Sequence, residues 1–299
     1  MASGQETLLC QNCGSFNKED ASWCRTCGQE LSPSSIRILP VGTVLDHGRY
    51  TISGYIGHGG SAITYRARQR NFTAEIALRE YYPSVLVRRN TSSQEVGPAD
   101  PEAELPFDQG KAQFLNEGDN LRTLGKVPNL VQVHDVFEDK GTVYMVEDLV
   151  RGESLSDLLA RRRKLSFAEA MALMEPVMKA LIQVHGHGLI HRDIKPSNIM
   201  ISDGTPYLID FGISKRIVRN TTISAFSGSR QEITQSAFTR GYAAPEQITG
   251  EAREAAWTDV YGAAATLYRM VTGMDPDDAE ARLVRDMLPS PFQLGAALT

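Results

Sequence analysis

Residues 189–200 read LIHRDIKPSNIM, and residues 207–212 read YLIDFG. Each stretch reads as a loop. Together they supply Asp193, Lys195, Asn198 and Asp210. Carboxylate and amide oxygens near one point hold Mg²⁺ and orient a hydroxyl, because a hard divalent cation takes oxygen ligands.

Working outward, GYAAPEQ follows at 241–247. WTDVYGAAATLYRMVTG at 257–273 has the apolar stripe of a packed helix. HRDIKPSN, DFG and APE in this order resemble the eukaryotic-type protein kinases, in particular the bacterial serine/threonine kinases, over about residues 45–290. The resemblance implies an α+β, two-lobed protein-kinase-like fold with a β-rich N-lobe and a helical C-lobe that ends early. It also implies ATP and Mg as cofactors and a protein substrate or signalling partner.

Carried over residue by residue, the resemblance makes Asp193 the acceptor of the substrate hydroxyl's proton and puts Lys195 near the γ-phosphate. Asn198 and Asp210 become the Mg ligands. His191 and Phe211 stack in the core with Leu121 and Val133, and His185 and His187 are structural or exposed. Glu117, in AQFLNEGDNLRTL, matches the glutamate of the regulatory helix. Thr64 and Ala77 border the adenine from above and Met200 from below, and Asp148 to Val150 form the hinge. Arg192 is expected to meet a phosphate on the activation segment, which runs from Asp210 to Glu246 and is rich in hydroxyls. Asp259 is expected to anchor the catalytic loop.

RYTISGYIG alternates polar and apolar residues, as a strand does. GHGGSAITYRARQ then places Gly57, Gly59 and Gly60 before a second strand-like run. A glycine hairpin lets backbone approach a phosphate closely. Four departures from the family pattern follow. IALR puts Arg79 where the family has a lysine that reaches the phosphates; a planar forked cation replaces a compact one. VYMVEDLV puts Glu147 just before the hinge, on the border of the adenine pocket. A buried carboxylate needs a partner, and Arg79 is the nearest cation in the pattern, so the two are expected to pair, with Arg79 also able to reach Glu117. Ala62 stands at the last glycine of the loop. The chain stops soon after 257–273, so the arginine that meets the APE glutamate, here Glu246, is missing. An excised piece of a longer protein is the favoured reading of that ending.

All four cysteines lie within the first 28 residues: Cys10 and Cys13 in CQNCG, Cys24 and Cys27 in CRTCG, ten residues between the pairs. Each pair turns two thiolates toward one point, and Gly14 and Gly28 supply permissive backbone after each turn. Four thiolates suit a closed tetrahedral Zn²⁺ site of structural type. Two disulfides or a redox pair are the competing reading, disfavoured because so short a segment has nothing else to hold it folded. The segment resembles the small zinc ribbons at the ends of many bacterial proteins. The expected divisions are therefore a ribbon at 1–31, a linker at 32–44, an N-lobe at 45–150 and a C-lobe at 151–299.

Composition excludes rather than identifies. The net charge of −5 and 22% charged residues give no basic stripe for nucleic acid, and Lys18 and Arg25 are the ribbon's only cations. The cationic run of ARRRKLSF at 160–167 reads as a solvated loop before a helix. No run reaches a membrane span of roughly 18 apolar residues. MASGQETLLC lacks a basic then apolar leader, so a cytoplasmic location is expected. Two functions stay open: an active serine/threonine kinase, or a pseudokinase scaffold that still holds nucleotide.

Overall fold

The structure is a computed structural model that describes residues 6–10, 15–18, 21–26, 28, 31, 36–211, 241–249 and 253–297. Cys13, Cys27 and most of the activation segment lie outside the described residues. The chain divides into two units: residues 1–122 with 133–149, and residues 123–132 with 150–299.

The first unit begins with three short strands: β1 (Glu6–Leu9), β2 (Phe16–Lys18) and β3 (Ile36–Arg37). They form an antiparallel sheet in the order β2-β1-β3. Residues 36–37 thus belong to the sheet of the cysteine segment, although their sequence reads as linker.

A six-stranded antiparallel sheet follows. Its strands are β4 (Val44–Leu45), β5 (Tyr50–His58), β6 (Ala62–Gln69), β7 (Glu75–Tyr81), β10 (Val133–Asp139) and β11 (Thr142–Asp148). Their order is β10-β11-β7-β6-β5-β4. Between β7 and β10 come a small hairpin, β8 (Val87–Arg89) with β9 (Val96–Pro98), and the long helix α1 (Pro101–Leu124). Strand β7 is buried on both faces from Ile76 to Tyr81. Alternation therefore sends Arg79 to one face and Glu80 to the other, each into a dry environment.

Helix α1 packs on the sheet through Phe107 and Phe114, whose rings meet Tyr81 at 5.8 and 5.5 Å. Gly118 completes the approach: a Cβ there would lie 2.5 Å from Val136 Cγ2 and 2.9 Å from Met145 Cε. The close fit of this helix is what positions Glu117.

The second unit carries a three-stranded antiparallel sheet of β12 (Glu153–Ser154), β13 (Ile199–Ser202) and β14 (Thr205–Leu208). Its described helices are α2 (Leu155–Arg162), α3 (Phe167–Gly186), α4 (Pro245–Thr249), α5 (Ala256–Thr272) and α6 (Ala279–Val284). Capping boxes start α2 and α3: Ser154 pairs with Asp157, and Ser166 with Glu169. Helix α3 buries Ala170, Met174, Val177, Leu181 and Val184, one face at helical spacing. Of its three methionines, Met174 is buried core filling, and Met171 and Met178 are half-buried. In the cationic run, Arg161 pairs with Glu153 and Arg162 with Glu169, each at 2.9 Å, on the surface. No described helix is long and apolar enough to cross a membrane.

Candidate active site

In the second unit the loop at 189–198 and the loop at 209–211 are tied together. Asn198 accepts the backbone N–H of Ile209 through its carbonyl at 2.9 Å, so the residue preceding Asp210 is bonded to Asn198. The ring of His191 stacks on Phe211 at 4.5 Å. His191 Nε2 lies 3.0 Å from the Ile209 carbonyl and Nδ1 lies 3.3 Å from the Asp193 N–H. A carbonyl only accepts and an N–H only donates, so the ring is neutral with its proton on Nε2. Burial lowers the pKa of His191 against the pull of Asp259, Asp193 and Asp210. His191 is a packing and orienting residue, not an exposed base.

Asp193 is held from two sides. Asn198 Nδ2 donates to the Asp193 carbonyl and to Oδ2, each at 2.8 Å, and Lys195 Nζ lies 3.1 Å from the same Oδ2. Arg192 and Asp210 both have positive φ, 68° and 59°. Non-glycine residues in that region cost backbone energy and cluster at functional sites. Beneath the loop, buried Asp259 on α5 accepts the backbone N–H of His191 at 2.8 Å and of Arg192 at 2.7 Å. Its Oδ2 also lies 2.7 Å from His185 Nε2, so His185 is half-buried and partnered, while His187 is exposed. Gly262, one turn along α5, faces the Ile194 carbonyl, which a Cβ would meet at 2.8 Å. The helix and the loop are therefore in backbone contact.

Two partners in this unit have no signal in the motifs. Arg192 Nε lies 3.0 Å from Glu254 Oε2, a carboxylate just outside α5. Glu246 accepts from the Thr258 hydroxyl at 2.6 Å. Met200 sits on β13 opposite Tyr207, and Val150 precedes β12.

In the first unit β5 and β6 form the glycine hairpin, with Gly57 opposite Thr64 and the Gly59 N–H bonded to the Ala62 carbonyl at 2.8 Å. A Cβ added at Gly57, Gly59 or Gly60 would meet nothing within 4 Å. No protein packing demands glycine at these three positions, so their bareness leaves room beside the turn. Thr64 lies opposite Arg79, and Ala77 opposite Glu147. Arg79 and Glu147 are buried on the same face, their side chains each 6% exposed, with Nη1 to Oε1 at 3.5 Å. Asp148 closes β11 opposite Ile76, and its carboxylate lies 2.6 Å from His134 Nε2. Glu117 is half-buried on the face of α1 that carries Phe114 and Leu121.

The other face of β7 holds a network that the motifs do not announce. Buried Glu80 pairs with buried Arg89 of β8 and accepts from the hydroxyls of Tyr65 at 3.0 Å and Tyr144 at 2.5 Å. Arg89 Nε and Nη1 reach the carbonyls of Arg37 and Gln94, both at 2.9 Å. Burial raises the pKa of both tyrosines, keeping them donors.

In the cysteine segment, Cys10 and Cys24 are buried. Cys24 Sγ receives the Thr26 N–H at 3.4 Å and Asn17 Nδ2 at 3.7 Å, and lies 3.1 Å from Ser15 Oγ. Donors aimed at sulfur favour the thiolate form. Among the described residues no group of three or more His, Cys, Asp or Glu could hold a metal ion.

An antiparallel sheet with one long helix, followed by a largely helical unit bearing the HRD and DFG loops, is the organisation of a protein kinase. The sequence pattern of the protein kinase domain matches residues 50–287, and the chain belongs to that family. It is 29% identical to sperm motility kinase 2B of Mus musculus, covering 85% of this chain and 46% of that protein. It is 31% identical to a "Probable serine/threonine-protein kinase" of Clostridium acetobutylicum, covering 80% of this chain and 32% of the relative. The solved apo form of PpkA-294 matches with a TM-score of 0.75 at 29% identity, covering 88% of each chain. This chain thus spans less than half the length of these two curated relatives.

Proposed function

We propose that this chain is an ATP- and Mg-dependent serine/threonine protein kinase. The observation that carries the reading is the fastening of Asp193 by Asn198 and Lys195, with Ile209 bonded back to Asn198. One carboxylate oxygen is thereby oriented, and the oxygens of Asn198 and Asp210 are the hard donors that suit Mg²⁺. Within the first unit the bare glycine turn, Thr64, Ala77, Glu147 and the strand end at Asp148 are assigned to nucleotide binding; within the second unit Val150 and Met200 are. Bound Mg-ATP supplies the transferable γ-phosphoryl group. Asp193 takes the proton of the attacking hydroxyl as the new O–P bond forms and the bond to the departing ADP oxygen breaks. In the second unit Lys195 is assigned to offset phosphate charge; in the first unit that role falls to Arg79, with Glu117 assigned to orient it.

A second reading, a nucleotide-holding pseudokinase scaffold, is favoured by one observation: Arg79 is engaged by buried Glu147. A cation tied to a carboxylate has less charge to offer a phosphate. In either reading Cys10, Cys13, Cys24 and Cys27 are assigned to Zn²⁺. The donors around Cys24 Sγ fit a thiolate ligand, and the metal would fold the segment rather than react.

Transfer of labelled γ-phosphate with Mg-ATP tests the proposal. We expect signal from the natural chain, a loss of about 10²-fold or more with Asp193→Ala, and a change of rate with Arg79→Lys. Absence of transfer in the natural chain, with nucleotide still raising its melting temperature, would establish the scaffold instead.

A further inference from the structure

The cysteine segment touches the glycine hairpin. The ring of Phe16, first residue of β2, stands edge-on to Tyr55 of β5, with centroids 5.3 Å apart and planes at 85°. The Tyr55 hydroxyl lies 2.7 Å from Nδ1 of His58, which sits inside the glycine-rich turn next to Gly59.

Tyr55 and His58 are three residues apart, so a regular strand would point them to opposite faces. The pairing of β5 with β6 shifts register between Tyr55 and Gly57. One extra residue there reverses the alternation and brings both side chains to one face. The bulge, the tyrosine and the histidine thus form a single device at the mouth of the turn.

That face is where the N-terminal segment is fastened. Tyr65 lies directly opposite Tyr55 in the hairpin, and its hydroxyl accepts the Leu39 N–H at 3.0 Å. Arg89 holds the Arg37 carbonyl of β3, and β3 is paired with β1. Ser15, whose hydroxyl lies 3.1 Å from Cys24 Sγ, immediately precedes Phe16. An edge-on aromatic contact therefore sits between a cross-braced sheet and a turn whose three glycines contribute no side-chain packing.

We propose that Phe16 and Tyr55 are positioning residues for the glycine-rich turn: through His58, the cysteine segment splints the hairpin that receives the nucleotide. The inference rests on the kinase reading only for the identity of the ligand; the splinting itself is a property of the hairpin.

Hydrogen exchange on the full chain tests it. Phe16→Ala should speed exchange of residues 53–62 by about three- to tenfold, the scale of one aromatic pair, with residues 193–211 unchanged. Phe16→Tyr, which keeps the ring edge, should restore natural exchange. Tyr55→Phe keeps the ring contact and loses only the His58 bond, so it should loosen 57–61 while residues 6–9 stay protected; this covers the case in which Phe16→Ala unfolds the segment. In parallel, the Kd of a non-hydrolysable ATP analogue with Mg²⁺ should rise at least about threefold in Phe16→Ala. Unchanged exchange at 53–62 in both Phe16→Ala and Tyr55→Phe, or no rescue by Phe16→Tyr, overturns the proposal. A natural chain that binds no analogue sinks the nucleotide reading alone, and the exchange result still decides the splint.

Discussion

At the residue scale, strand β7 carries two adjacent charges that meet different fates. Arg79 meets Glu147 of the neighbouring strand β11 at 3.5 Å, both buried. Both charges sit in a dry site, where the energy of the pair depends closely on its geometry. Arg79→Lys and Glu147→Met should each destabilise, and the double variant should recover by about 0.5–3 kcal/mol relative to their sum; denaturant unfolding of the four proteins gives the coupling. Glu80 faces the other way into Arg89, Tyr65 and Tyr144. Arg89→Met should cost about 3–5 kcal/mol in the same assay, because it leaves a fully buried carboxylate with only neutral donors.

His191 adds a pH dependence. Burial depresses its pKa from the ordinary 6.5. Below that value the unfolded chain binds a proton that the folded chain refuses, so the contribution is complete above about pH 6.5 and is lost as pH falls through the folded pKa. The melting temperature of the natural chain should therefore drop more steeply on acidification than that of His191→Gln.

At the scale of elements, two glycines set how closely helices approach the site. Gly118→Ala would push α1 off Val136 and Met145. We expect a loss of about 1–3 kcal/mol and a fall in nucleotide affinity as Glu117 shifts, read by unfolding and analogue titration. Gly262→Ala meets the Ile194 carbonyl, a backbone atom that cannot rotate away. It should disturb the catalytic loop directly, and phosphate transfer should fall even where the fold survives. The motif-bearing elements were legible in order and type: the glycine hairpin, the helix with Glu117, and the paired loops. The β8–β9 hairpin was not. Its strands are three residues each, too short for alternation to declare them, and Arg89 there reads as one cation among several.

At the scale of the whole molecule, the N-terminal segment is joined to the rest of the first unit by side chains as well as by covalent continuity. Its strand β3 and residues 38–39 are held by Arg89 and Tyr65, and Ile38 and Leu39 are buried. If Zn²⁺ holds this segment, a strong chelator should release about one equivalent per chain and lower the melting temperature, and Cys10→Ser or Cys24→Ser should do the same. Metal analysis together with a thermal scan checks both.

The chemistry of HRDIKPSN and DFG, the arginine in place of lysine, and the need of Glu147 for a cation were all determined by residue identity and order. Local spacing is enough to place these candidate groups on strand ends and loops. What only the tertiary structure decided are the partnerships between groups far apart in the chain: Glu80 with Arg89 and Tyr144, Arg192 with Glu254, Phe16 with Tyr55. Such pairs are selected by which faces become dry and by the single-residue bulge that turns Tyr55 and His58 to one side, and neither burial nor register is written in the residues next to them.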